Sequence, residues 1–257
     1  MTRSGPAARV AALLAVALLC LAAAGCGAGR GDEEVYVAVA QNFALPFAEI
    51  ARELEAVSGL RVVTTTGSTG ALYAQIVAGA PFAVFLAADE ERPRRLVDEG
   101  LAVAESRFTY ARGRLALWRP GLEIADGAAL LAGGDFDHLA MANPATAPYG
   151  RAARQALEAL GVWPAVEAKV VFGSDVGQAY QFVATGNADL GLIARSQLDH
   201  EAEGAAWLVP ERLHAPIEQQ AVLLASAAGD EAAIELLDWL RGPEARRVLE
   251  RFGHGAD

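Results

Sequence analysis

The chain has 257 residues, 53% of them hydrophobic and 21% charged, which is enough apolar material for one or two packed domains and excludes a chain disordered throughout. Its 32 acidic residues outnumber its 21 Lys and Arg, giving a net charge of -11 with no basic block, so it is not a nucleic-acid binder. Lys169 is the only lysine and is followed by Val170, which excludes a Gly-Lys-Ser/Thr phosphate loop and leaves a lysine Schiff base without support.

Arg3 and Arg9 precede an apolar run over residues 10–24. As a helix that run is about 23 Å long, short of a bilayer core of about 30 Å. The charged start, short apolar stretch and small-residue exit Ala22-Ala23-Ala24-Gly25 predict a secretory signal over residues 1–25. Residues 21–26 resemble a bacterial lipoprotein cleavage site, with Ala23 where such sites usually carry Leu. That resemblance implies lipidation of Cys26, with plain cleavage as the alternative. Cys20 lies inside the signal, so the mature chain keeps Cys26 alone and has no internal disulfide. Residues 26–33 read as a polar tether.

Residues 35–40 (VYVAVA) predict a strand buried on both faces. Phe47, Ile50, Leu54 and Val57 then recur at helical spacing up to Ser58-Gly59. Residues 61–66 (RVVTTT) predict a second strand, Leu72 and Ile76 mark a helix ending at Gly79, and residues 83–88 predict a third strand. Asp89 is a plausible N-cap for the charged helix that ends at Gly100. This alternation is that of a parallel sheet covered by helices. A second α/β unit follows, with strands at 115–118, 139–142, 170–172 and 190–193 and helices at 151–160 and 176–185. A late strand at 221–225 and helices at 231–240 and 243–252 close the chain.

In open α/β sheets, ligands bind where strands end and helices begin. Four such turns stand out: Gln41-Asn42-Phe43, Gly67-Ser68-Thr69-Gly70, residues 143–150 (NPATAPYG), and Gly173-Ser174-Asp175-Val176-Gly177. All are rich in neutral donors or small residues, and helix N-termini that converge suit an anion without Lys or Arg. Taken singly, Asn42, Ser68, Thr69 and Asp175 also read as ordinary helix caps.

Val37-Ala38-Val39-Ala40-Gln41-Asn42-Phe43, Gly67-Ser68-Thr69-Gly70, residues 75–81 (QIVAGAP), Ala142-Asn143-Pro144, Pro148-Tyr149-Gly150 and Ser174-Asp175-Val176 together resemble the periplasmic molybdate-binding proteins of molybdate ABC transporters. The resemblance runs from about residue 35 to 252. It implies an α/β, two-lobed type II periplasmic binding protein, each lobe a mostly parallel sheet flanked by helices, with the ligand cleft between lobes. One lobe would comprise residues 34–111 plus 220–257 and the other 112–219, with the chain crossing near 110–114 and 216–221. The resemblance further implies a binding protein rather than an enzyme, with no cofactor. Its ligand would be molybdate or tungstate, held as an oxyanion with no side chain ligating the metal. Asn42 would contribute its backbone N–H and side chain, Ser68 its hydroxyl and N–H, Tyr149 and Val176 their backbone N–H groups, with Gln41 adjacent. The implied partners are an ABC permease and, through Cys26, the membrane. The implied state is a monomer in the periplasm or on the outer side of the cytoplasmic membrane. Members with serine in the first turn take a tyrosine hydroxyl from the loop after the 190–193 strand. Here Ala194 stands at that place, and the chain resembles the branch with Asn in the first turn and Tyr after the proline.

Molybdate offers only acceptors, so a carboxylate facing it would be a costly like-charge contact. Asp175 is therefore expected to cap its helix or point away, and an Asp175 facing the cleft would favour phosphate or another protonated anion. Sulfate, phosphate or a small organic anion remain alternative ligands. A cleft hydrolase lacks a nucleophile–base pair. His138, His200, His214 and His254 show no metal-ligand spacing, and each reads as a surface histidine.

Overall fold

The computed structural model describes residues 33–121, 123–198 and 205–254. The expected signal, Cys26, residues 26–32 of the tether and His200 lie outside the described residues. In chain order come β1 (Glu34–Ala40), α1 (Ala44–Ser58), β2 (Arg61–Gly67), α2 (Thr69–Val77), β3 (Val84–Ala87), α3 (Glu91–Asp98) and β4 (Phe108–Gly113). Next are β5 (Leu115–Trp118), α4 (Gly127–Gly133), β6 (Leu139–Ala142), α5 (Pro148–Ala159), α6 (Trp163–Val166), β7 (Val170–Gly173), α7 (Val176–Ala184), β8 (Leu190–Ala194) and β9 (Trp207–Leu208). The chain ends through β10 (Ile217–Leu223), α8 (Glu231–Arg241) and α9 (Pro243–Arg251).

These strands form two five-stranded sheets, ordered β2-β1-β3-β10-β4 and β7-β6-β8-β5-β9. In the first, β1 pairs parallel with β2 and β3, whereas β10 runs antiparallel to both β3 and β4. In the second, β6 pairs parallel with β7 and β8, and β5 runs antiparallel to both β8 and β9. Each sheet is thus mixed, with one reversed strand inserted beside a parallel trio. Arg114 alone separates the last strand of the first sheet from the first strand of the second.

Side-chain alternation along β1 divides the first lobe's interior. Val35, Val37 and Val39 pack with Phe47, Ile50 and Leu54 of α1, Leu237 of α8 and Val248 of α9. Ala38 faces the other way, toward Leu72 and Ile76 of α2 and Leu96 of α3. The second lobe has its own core around Leu117, Met141, Leu157 and Leu192, which also takes in Ala40, Ala88 and Ile217 from the first-lobe strands.

Several expectations are corrected here. Val57 does not join the buried face of α1; it is exposed, and Ala51 completes the stripe instead. The late strand is Ile217–Leu223 rather than 221–225, because Glu218, Gln219 and Gln220 read as polar although Gln219 and Gln220 are buried and hydrogen-bonded. β4 (FTYARG) shows neither clean alternation nor an apolar run, and only its pairing with β10 makes it a strand. His214 and His254 are buried, unlike the exposed His138.

Candidate functional site

The C-terminal ends of β1, β2, β6 and β7 meet between the sheets, and each leads directly into a helical turn. A small cavity of about 10 Å³ lies there, lined among others by Asn42, Ser68, Tyr149, Asp175 and Val176. A larger groove of about 190 Å³ runs between β4, α8 and α9, but it gathers none of the four turns.

The first-lobe side is built from two turns. β1 passes into a 3-10 turn, Gln41–Phe43, without a side-chain cap. The capping expectation for Asn42 therefore fails: its side chain is buried, and Nδ2 donates to Gln219 Oε1 at 2.8 Å. Ser68 does cap α2, its Oγ accepting from the Ala71 N–H at 3.4 Å, which leaves the hydroxyl proton free to donate. Thr69 is no cap either; its Oγ1 accepts from the Ala88 N–H and ties the end of β3 to the start of α2.

The second lobe presents backbone. α5 begins with Pro148 at its first position, which has no N–H to lose, so the Tyr149 N–H belongs to the free first turn. α7 begins at Val176, capped by Asp175, whose Oδ1 accepts from the Gln178 N–H at 3.0 Å. Ser174 Oγ donates to the other carboxylate oxygen, and Gln178 Oε1 accepts from the Ser174 N–H. Asp175 is thus the helix cap it was expected to be, with both oxygens engaged locally. Burial holds the Tyr149 phenol well above its ordinary value, while the neighbouring Asn42 and Gln219 amides pull the other way. Tyr110 is raised as well, chiefly by burial.

The two lobes touch around the rim. The Gly70 N–H donates to the Thr146 carbonyl at 2.9 Å, and a Cβ at Gly70 would stand 2.7 Å from that oxygen. Arg151 of α5 reaches Asp89 at 2.9 Å and Glu91 at 3.3 Å. Asp89 also takes the Arg92 N–H and guanidinium, so it serves α3 from one residue before the Glu90 cap. On the other rim, Ser196 Oγ donates to the Asn42 carbonyl at 2.8 Å, and Gln41 lies over Gly177. Ala194 is fully buried at the end of β8; Ser196, two residues on, is what this loop brings to the first turn.

The structure therefore brings Gln41, Asn42, Ser68, Tyr149 and Val176 together. Sequence reasoning does not reach Gln219, Ser196 or Arg151, and it reads Thr69 only as a turn residue or cap. The one available signal is at Gln219, a polar residue inside the 216–221 segment expected to cross between lobes. Among the described residues, no cluster of three or more His, Cys, Asp or Glu side chains could hold a metal ion. The arrangement offers N–H and O–H donors at helix starts, which is anion-binding chemistry.

The sequence profile described as bacterial extracellular solute-binding protein matches residues 35–254. The chain is similar to the molybdate-binding protein ModA of Azotobacter vinelandii, 48% identical over 227 residues that cover 86% of this chain and 90% of the relative. It is also similar to that of Rhodobacter capsulatus, 44% identical over 221 residues, covering 86% and 88%. Among solved structures, the Azotobacter vinelandii periplasmic molybdate-binding protein superposes with a TM-score of 0.83 at 39% identity, covering 87% of this chain and 99% of that one.

Proposed function

Because the chain belongs to the bacterial extracellular solute-binding proteins, and within them to the molybdate-binding proteins, we propose that it captures molybdate, and tungstate with it, in the cleft between its lobes. It would release the anion unchanged to the permease of an ABC transporter. The observation that carries this reading is the convergence of four turn or helix starts, from both lobes, on one cavity whose one lining acid, Asp175, caps α7. In this reading, Ser68 donates its hydroxyl, and Asn42, Tyr149 and Val176 donate backbone N–H groups. The Asn42 side chain serves chiefly to hold its turn against Gln219. An acceptor-only dianion suits such a donor set. Hydrogen phosphate carries a proton that needs an acceptor, and Asp175 lines the cavity with one hydrogen bond on each carboxylate oxygen and lone pairs to spare, so phosphate is the competitor that a binding screen must exclude.

Closure would be the signal for delivery. The rim contacts at Gly70–Thr146, Asp89–Arg151 and Asn42–Ser196 join residues from opposite lobes, and an anion bridging the same lobes favours the state that makes them. The acidic chain repels an anion at long range, so local donors must outweigh a field that salt partly screens. We place the protein in the periplasm, tethered through a lipid on Cys26, on the strength of the lipoprotein-like segment at residues 21–26.

A thermal-melt screen with molybdate, tungstate, sulfate and phosphate tests the reading. A ligand at about 100 times its Kd adds about 2.7 kcal/mol, a rise of several degrees. Molybdate and tungstate alone are expected to give it. A shift with sulfate or phosphate and none with molybdate would keep the fold and replace the ligand. Ser68→Ala should then cost about 1.5–3 kcal/mol of binding by calorimetry, the worth of a hydrogen bond to a charged group; unchanged affinity would remove Ser68 from the site.

A further inference from the structure

The deepest polar cluster near the cleft lies behind the cavity, where the chain crosses between lobes. Gln219, on β10, has no exposed surface. Its Oε1 accepts from Asn42 Nδ2 at 2.8 Å and from the Tyr110 hydroxyl at 3.2 Å. The Tyr110 hydroxyl also stands 3.2 Å from the Ala87 carbonyl at the end of β3. Gln219 Nε2 is buried without a hydrogen-bond partner, and so is the hydroxyl of Tyr149, which arrives from α5 of the other lobe. Both atoms press on Gly113, the last residue of β4 before the crossing. A Cβ there would collide with the Tyr149 hydroxyl and lie 2.9 Å from Gln219 Nε2. Glycine is thus required at this point for contact rather than for backbone conformation. Leaving a buried amide and a buried hydroxyl side by side and unpaired is costly, and each is the polar complement of the other.

We propose that Gln219 is the positioning residue of the anion site: it holds the Asn42 turn from the first lobe and receives the Tyr149 hydroxyl from the second, so that lobe closure and donor placement are set together. The proposal rests on the anion-binding reading above. Tyr149 is the joint between the two events, since it lines the cavity from the first turn of α5 while its side chain enters the crossing. Gln219 touches no ligand in this account. It acts through Asn42 and Tyr149, and a Met of similar length would keep the volume while losing both the Oε1 acceptor that holds Asn42 and the Nε2 donor that faces the Tyr149 hydroxyl.

The test compares Gln219→Met, Tyr149→Phe and the double variant for molybdate Kd by calorimetry and for ligand-free melting. We expect Gln219→Met to weaken binding at least about tenfold and the double variant to be no weaker than Gln219→Met, because both remove the same pairing. Binding within twofold of the parent in Gln219→Met, or effects that multiply, would overturn the proposal. Should Gln219→Met fail to fold, Gly113→Ala presses on the same groups. It should weaken binding, because the new methyl meets the Tyr149 hydroxyl and stands 2.9 Å from both Tyr149 Cζ and Gln219 Nε2; binding within twofold of the parent would count against the proposal. A ligand-free arm separates this inference from the reading beneath it. The Asn42 side-chain amide protons should exchange slowly by NMR in the parent and at least about tenfold faster in Gln219→Met. A parent that ignores molybdate and tungstate yet shows this difference loses the ligand and keeps the positioning role. An Asn42 amide that exchanges freely in the parent ends the proposal.

Discussion

The two sheets share a parallel trio beside one reversed strand, yet they bring different atoms to the cleft. The first lobe offers the Ser68 hydroxyl and the Asn42 turn, which the Asn42 side-chain amide fixes from behind through Gln219. The second lobe offers helix starts whose side chains are committed elsewhere: Pro148 has no N–H, Asp175 caps α7, and the Tyr149 side chain is buried at the crossing. Side-chain chemistry therefore sets what the first lobe contributes, and backbone geometry sets what the second contributes. Ordinary truncation of second-lobe residues should accordingly miss their contribution, and only changes to the backbone should reach it.

Val176→Pro is the sharpest way to break this contrast. Val176 is the first residue of α7, where proline is well tolerated, and Asp175 before it is already extended. The substitution removes one N–H and little else, so affinity should fall by about 1.5–3 kcal/mol while ligand-free melting moves by only a few degrees. Unchanged calorimetric affinity would show that the second lobe does not bind through this N–H.

Gly70→Ala tests closure from the first lobe. The new methyl would stand 2.7 Å from the Thr146 oxygen when the lobes meet. In an open molecule it sits in a helix, where alanine gains about 0.5–1 kcal/mol over glycine. Ligand-free melting should rise slightly while affinity falls by about 1–3 kcal/mol, the usual cost of overpacking. Parallel changes in both quantities would mean that this approach is not linked to binding.

The C-terminal end of the first lobe carries a pH dependence. Burial pushes the His254 imidazole down to about 4; a hydrogen bond to the Arg112 backbone pulls it up, and Arg195 of the second lobe adds to the depression. Its folded value lies below the unfolded one of about 6.5, so the native state holds it neutral. Stability is full above about pH 6.5 and declines as pH falls toward 4, by about 1.4 kcal/mol per unit at most. Melts between pH 4.5 and 7.5 should be flatter for His254→Gln than for the parent. Equal slopes would assign the acid loss to carboxylates.

The smallest effect is expected at the rim. Arg151 is partly exposed, so its pairing with Asp89 and Glu91 is worth about 0.2–1 kcal/mol. Arg151→Ala should speed ligand release a few-fold in stopped flow, and the difference from the parent should shrink with added salt. A difference that persists at high salt would point to packing instead.

Much of the frame was legible in the chain because it depends on short-range pattern. The apolar runs at β1, β3, β6 and β8, the helical spacing of Phe47, Ile50 and Leu54, and the helix-capping residues Ser68 and Asp175 announce themselves within a few residues. Local turns were equally plain, since a strand end followed by small polar residues and a helix is itself a local signal. What the sequence could not disclose lies at long separation. Gln219 is 177 residues from Asn42, Ser196 is 154 from the same turn, and Arg151 is 62 from Asp89. β4 and β10 lack the pattern of buried strands because their polar residues find partners on each other, far apart in sequence, as Arg112 does with Glu218. By itself the sequence determined the elements, the two α/β units and the donor-rich turns, because propensity, periodicity and capping act over one or two helical turns. Only the tertiary structure decided that Asn42 is held by Gln219 rather than capping its helix, that two histidines are buried, and that the lobes meet at Gly70, Asp89 and Ser196. A buried polar group is satisfied by whatever the fold carries to it, and no local pattern records where that partner will come from.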